Sequence, residues 1–490
     1  MAPEVMSPTI LLRGGTIIAF DGRAHRTLED GVLAYRGDRI LHVGTEYAAP
    51  VDRVIDTRGK LVIPGQISCH AHVSANEGHR PLVDGGRRDF MRSGFLSYIP
   101  TKGLGGRSMT AEADLVASIR YGIASLIRHG VTTAVAFNGE GGPDQAIVRL
   151  AGEMGIRLYF APAVRAGSHY FDGDGRLCRE WDEAAGLAAL ERAGAAIERL
   201  DGSHDGRVRG IVIVDEFYLS TSTLRRRAKA LADRLGVNLT MHFCEQHYEF
   251  FECVRDTGKT PAELLADEGV LGPGVILAHS IYLSGSSYTG HNYVDDVGLI
   301  GRAGAAVAHS PLVFARRGTA LDSFQRYLDA GITMAMGTDV YPMDLIEEMR
   351  TATMVGKIMD KNHEAATAAA VFAASNLGGA AALRRDDIGR LSAGAKADIV
   401  VLDFDNLQIG PVADPIRSLI HCANSSMIET VIVDGRTLME NGALLVCDER
   451  AVLAEARASC EAVWSSYGQF HFAGRSLAQD FPPALKRWGD

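Results

Sequence analysis

Pro64-Gly65-Gln66-Ile67-Ser68-Cys69-His70-Ala71-His72 opens on a turn, runs through apolar residues and ends on two histidines one residue apart. In an extended strand the side chains alternate, so residues two apart share a face. His70 and His72 therefore aim the same way at the strand's end, where two imidazoles can bind one ion through ring nitrogen. Working outward, the same pattern repeats down the chain. VTTAVAF, RLYFAPAV, GIVIVD, VNLTMHF, VILAHS, GAAVAHS and ITMAMGTD follow, all between 65 and about 385. Between them lie stretches with helical spacing, such as EADLVASIRYGIASLIRHG, AAGLAALERAGAAIERL and STLRRRAKALADRLG. Eight apolar strands with helical crossovers predict an α/β fold, a closed parallel (β/α)8 barrel of the TIM type. A doubly wound sheet is the competing layout; the count of eight and the polar residues ending the strands favour the barrel.

The flanks read differently. Residues 9–64 carry TILLRGGTIIAF, GVLAYRGDRILHVG and KLVIPG, short strands separated by Gly and Asp turns. Strand texture returns over 391–447, with ADIVVLDF and IETVIVDGRTLME. The simplest arrangement joins these two segments as one small β-sandwich domain beside the barrel. The expected division is 1–64 and 389–447 for that domain, 65–388 for the barrel, and 448–490 for a C-terminal helix and tail. The amphipathic AVLAEARASCEAVWSSYG suggests packing on a partner, hence a homodimer or higher homo-oligomer. One connection is long: the segment 73–104 directly follows the first barrel strand, and a loop of that length there reads as a substrate lid.

Composition narrows the class. The 490 residues are 47% hydrophobic and 22% charged, as in ordinary globular proteins, and suffice for a large core. A net charge of -10 without a Lys/Arg run argues against a nucleic-acid surface. No apolar run reaches the roughly 18 residues needed to span a bilayer, and MAPEVMSPTILLRGG lacks the basic-then-apolar order of a secretory signal. The seven cysteines are odd in number and scattered, without CxxC pairs, which fits a reducing cytoplasm.

The strand ends carry the chemistry. Strand five ends Met241-His242, strand six Ala278-His279 and strand eight Gly337-Thr338-Asp339. With His70 and His72 these all fall at the C-terminal ends, where barrel enzymes place their active sites. Three histidines and an aspartate make an N/O shell for one borderline divalent ion, zinc or ferrous iron. Buried polar residues satisfied by hydrogen bonds would not gather at the strand ends in such numbers.

With these residues in view, the chain resembles the amidohydrolase superfamily, in the branch with cytosine deaminase, guanine deaminase and the triazine chlorohydrolases. The matching motifs occur in order over nearly the whole chain: PGQISCHAH (64–72), HGVTTAV (129–135), HFCE (242–245), His279, AHSP (308–311), GTD (337–339) and GRLSAGAKADIVVLD (389–403). The resemblance implies that His70, His72, His242 and Asp339 are the metal ligands, with zinc the first choice of ion. It implies that His279 contacts the attacking water or the substrate. It also implies that Glu245, three residues after His242, is the catalytic proton shuttle; a carboxylate near a helix N-terminus is the bland alternative. Strand four reads GIVIVD and offers no lysine to bridge two ions, which favours a single metal.

The implied reaction is attack of metal-activated water on a small nitrogen heterocycle, with Asp339 as base and Glu245 protonating a ring nitrogen or the leaving amine. That predicts a hydrolase of carbon–nitrogen bonds, a deaminase or aminohydrolase. The alternatives are cleavage of a ring C–Cl bond or of an amide, urea or carbamate, and, remotely, a non-catalytic scaffold. Two segments depart from the common pattern, HSPLVFARRG after strand seven and VYPMDLIEEMR after GTD, so no known member's substrate carries over. His309, Arg165, His169 and Tyr98 are candidates for substrate contact.

Overall fold

The computed structural model describes residues 7–74, 76–81, 83–85, 113–137 and 144–489. Its centre is an eight-stranded sheet whose strands all run parallel. In chain order the barrel strands are Gln66–Ala71, Val131–Ala136, Arg157–Phe160, Val208–Glu216, Asn238–Phe243, Val275–His279, Ala306–His309 and Thr333–Met336. Strand one meets the end of strand eight through a parallel bridge between Ala71 and Asp339, and this closes the barrel. Ile211, Ile213, Ile276, Ala308 and Ala335 come from four strands yet form one apolar cluster with Leu383 and Ile388. A larger cluster lies between strands and helices, where Ile119, Ile123 and Ile127 of the helix Leu115–Arg128 are fully buried.

The flanking segments pair directly with each other. Lys60–Pro64 runs antiparallel to Ile399–Asp403, with Ile63 opposite Val400. Around this seam the chain builds one nine-stranded sheet, from Ala443–Leu444 at one edge to Arg39–Gly44 at the other. That sheet curls back on itself: Ile40 N–H donates to Ala395 O, and Leu12, Leu33, Val62, Ile399 and Ile432 share a core. A fully buried Arg157 on barrel strand three ties the two bodies, paired with Asp398 and Asp434 of the outer sheet.

The C-terminal helix Glu449–Phe470 buries Val452, Ala456, Val463 and Tyr467. It lies on the chain's own Leu115–Arg128 helix, where Asp114 N–H donates to Ser459 Oγ at 2.9 Å and Arg120 pairs with Glu455. The apolar stripe that suggested a partner subunit is thus used within the chain. Among the described residues no helix is long and apolar enough to cross a membrane. The lid expected over 73–104 falls mostly outside the described residues.

Candidate metal centre

Side chains from strands one, five and eight converge at the C-terminal mouth. A register shift between Ser68 and Ala71 marks a bulge in strand one that takes in His70, and His72 follows directly after the strand's last residue. Strand eight is stitched to this spot: Thr338 and Asp339 N–H both donate to His70 O at 3.0 Å, and His72 N–H donates to Asp339 O at 2.6 Å. Gly337 permits the approach, since a Cβ there would meet Ser310 Oγ at 2.5 Å and His70 Cβ at 2.9 Å. Asp339, Cys244 and His279 all hold left-handed backbone, with φ of 53°, 50° and 77°. Such strain at three strand ends gathers where function demands a fixed side-chain direction.

Three distances among the donor atoms lie near those of one shell. His72 Nε2 lies 3.0 Å from His242 Nε2, and Asp339 Oδ1 lies 3.6 Å from His72 Nε2 and 3.8 Å from His70 Nε2. A tetrahedral shell with bonds of about 2.1 Å puts neighbouring donors about 3.4 Å apart, in the middle of those values. Both ring nitrogens of His70 are buried without a hydrogen-bond partner, and so are both of His279. Burial, followed by repulsion from neighbouring imidazoles, holds His70, His72 and His279 well below the usual histidine range. They are therefore neutral with free lone pairs, the form that binds a cation. Two triads here can hold a metal, His70–His72–His242 and His70–His279–Asp339. The donor set fits a divalent ion. His242 is oriented from behind by a short hydrogen bond from Nδ1–H to Asp215 O, and Phe137 packs its ring against His70 and His242.

Glu245 and His279 stand beside this shell. Glu245 is 9% exposed, and its Oε2 lies 3.6 Å from His279 Nε2. Its backbone is fixed by Glu249, whose carboxylate accepts from Cys244 N–H at 2.8 Å and Glu245 N–H at 3.1 Å. Burial, then the nearby Glu245, pushes the Asp339 carboxyl up to about 6. Phe314 closes the far side of His279, with ring centroids 4.8 Å apart.

The weaker sequence candidates separate. His309 is buried at the end of strand seven, its carbonyl accepting from Gly337 N–H at 2.9 Å, and burial pushes its imidazole down to about 3. His169, on the strand Gly167–Phe171, stacks on Tyr218 at 5.2 Å, and Arg165 pairs with Asp215 at 3.5 Å. Tyr98 lies outside the described residues. His79, in the long loop after strand one, stacks on His72 with centroids 6.2 Å apart, and Arg316 of the HSPLVFARRG segment lies over the ring of Tyr341 at 4.1 Å. Glu216 is the neighbour that the sequence reading missed, because strand four runs one residue past Asp215. The acid directly after GIVIVD was the available signal.

Known proteins share this architecture. The chain is 28% identical to a 5-methylthioadenosine/S-adenosylhomocysteine deaminase of Acetivibrio thermocellus, over 90% of this chain and 96% of that protein. It is 28% identical to a 5'-deoxyadenosine deaminase of Methanobrevibacter smithii, over 88% and 93%. Among solved structures, a zinc-bound adenosine deaminase from Xanthomonas campestris superposes with a TM-score of 0.78 at 19% identity, covering 93% of this chain and 98% of that one. A zinc complex of atrazine chlorohydrolase from Arthrobacter aurescens gives 0.76 at 24% identity, covering 92% and 100%. Residues 61–438, the barrel together with the seam of the outer sheet, match the amidohydrolase family, and the chain belongs to that family.

Proposed function

We propose that this protein is a metal-dependent aminohydrolase that replaces an exocyclic amine of a nitrogen heterocycle with oxygen. In this reading His70, His72, His242 and Asp339 hold one divalent ion, zinc. The observation that carries it is the spacing of 3.0, 3.6 and 3.8 Å among those four donors, with Glu245 and His279 3.6 Å apart beside them. When bound, the ion supplies the Lewis acidity that makes water a nucleophile at neutral pH. Asp339 takes the proton of the attacking water through its carboxylate. Glu245 gives a proton to a ring nitrogen and regains one from the hydroxyl of the adduct, and the proton that Asp339 took from water passes to the departing amine, which leaves poorly unless protonated. His279 stabilises charge developing on the attacked ring. Closely packed Phe137 and Phe314 keep bulk water from this corner.

The names of the sequence relatives, which are deaminases of adenosine derivatives, support amine as the leaving group. The test is product analysis with zinc-loaded protein. Adenosine, 5'-methylthioadenosine, S-adenosylhomocysteine, cytosine, guanine and amino- and chloro-triazines form the panel. Ammonia release from at least one aminated ring is expected. Chloride release with no ammonia from any member would overturn the proposal in favour of a dehalogenating hydrolase.

A further inference from the structure

Barrel strand four carries an extra residue at its mouth. Ile213 pairs with Thr240 and Val214 with Met241, but His242 pairs with Glu216 rather than Asp215. Ile211 and Ile213 lie in the cluster drawn from many barrel strands, so regular alternation would send Asp215 inward next. The bulge exchanges the two acids. Asp215 turns to Arg165, its carbonyl serving His242, and Glu216 takes the inward position with its Oε1 3.8 Å from His242 Nδ1.

Glu216 is 5% exposed, and its Oε2 has no hydrogen-bond partner among the described residues. Beside it the hydroxyls of Tyr218, in the turn after strand four, and Tyr248, in the helix His247–Thr257 after strand five, interact with each other, their rings 5.1 Å apart. Burial and the neighbouring Glu216 push both phenols well above their usual range. His169 backs this corner, stacked on Tyr218 and edge-on to Tyr248 at 5.8 Å. A buried carboxyl oxygen left unpaired is costly, so Glu216 Oε2 marks a place that a ligand completes. A carboxyl oxygen accepts, so a ligand edge that donates a hydrogen bond is the one that completes Glu216 Oε2.

We propose that Glu216, with Tyr218 and Tyr248 beside it, is the specificity-determining group of this site, accepting a hydrogen bond from an amino or ring N–H donor on the substrate edge that does not react. The heterocyclic nature of the ligand rests on the aminohydrolase reading; the location of the subsite does not. Binding is read with ring pairs that differ by one amino donor, purine against 2-aminopurine and pyrimidine against 2-aminopyrimidine. Each is titrated calorimetrically into zinc-loaded protein. Wild type is expected to prefer the amino member of at least one pair by about tenfold or more. Glu216→Leu abolishes the preference, Glu216→Gln, which keeps one acceptor oxygen, retains part of it, and both keep wild-type metal content. Equal or undetectable binding of both members of both pairs by wild type overturns the proposal. So does an undiminished preference in Glu216→Leu, and so does loss of metal from both variants, which would make Glu216 a support for His242 instead. None of these readouts needs turnover, so a panel that yields no ammonia sinks the aminohydrolase reading separately.

Discussion

Glu245 sits at the end of a backbone segment that is held, not merely packed. Cys244 before it adopts φ of 50°, and Glu249 accepts both adjacent N–H groups. Truncation of either acid should therefore separate chemistry from metal binding. Glu245→Gln is expected to keep the ion and lower kcat by about a hundredfold or more; metal analysis beside steady-state kinetics checks this, and a full rate would remove Glu245 from the proton path. Glu249→Ala frees the Cys244–Glu245 peptides, and about a tenfold loss of kcat with metal retained is the expected result. Unchanged kinetics would mean that the strand end needs no such anchor. That His70, His72, His242 and Asp339 come close together is legible in the sequence because they stand at the ends of apolar runs, where a polar residue has few structural uses. Glu249 was not legible. Its role depends on a turn that folds its carboxylate back onto the strand end, which residue spacing alone does not announce.

At the scale of elements, the barrel strands emerged from hydrophobic runs bounded by turn residues, and their C-terminal polar ends gave the direction of the mouth. What the runs could not reveal was the single-residue bulge in strand four, since one inserted residue leaves hydrophobicity unchanged while exchanging Asp215 for Glu216 at the inward position. The C-terminal helix teaches the complementary lesson: its apolar stripe was correctly read, but amphipathicity does not say which surface will cover it. Elsewhere, a buried carboxylate clamps two elements. Asp296 accepts from Thr260 Oγ1 at 2.6 Å, at the start of the helix Pro261–Asp267, and from Ser284 N–H at 2.7 Å, after strand six. Burial pushes its carboxyl up to about 6. The folded state thus favours the protonated acid, so this group's contribution is present below the unfolded value of about 3.9 and is lost as pH rises toward 6. The Tm of wild type should fall relative to Asp296→Asn between about pH 4 and pH 7. Thermal unfolding across that range checks it; a constant gap would show that Asp296 keeps its charge at no cost.

At the scale of the molecule, the barrel and the outer sheet share the Lys60–Pro64 seam and the buried Arg157–Asp398–Asp434 group. Removing the arginine leaves Asp398 buried without its charge partner, while Asp434 keeps Lys396 at 3.2 Å. Arg157→Ala is expected to lower stability by about 3–5 kcal/mol while leaving the metal site's composition intact; denaturant unfolding measures the loss, and a change below about 1 kcal/mol would assign the junction to apolar packing. The sequence foresaw that the two ends of the chain meet, because both carried strand texture without crossovers, but the tie between bodies lies between residues 241 positions apart and leaves no local mark. Catalysis as proposed depends on one ion held by four strand-end side chains. Its most direct test is elemental analysis of protein purified without added metal, run beside His242→Ala. About one divalent ion per chain in wild type, lost in the variant together with activity, is the predicted result. Two ions per chain, or full metal content in His242→Ala, would contradict it.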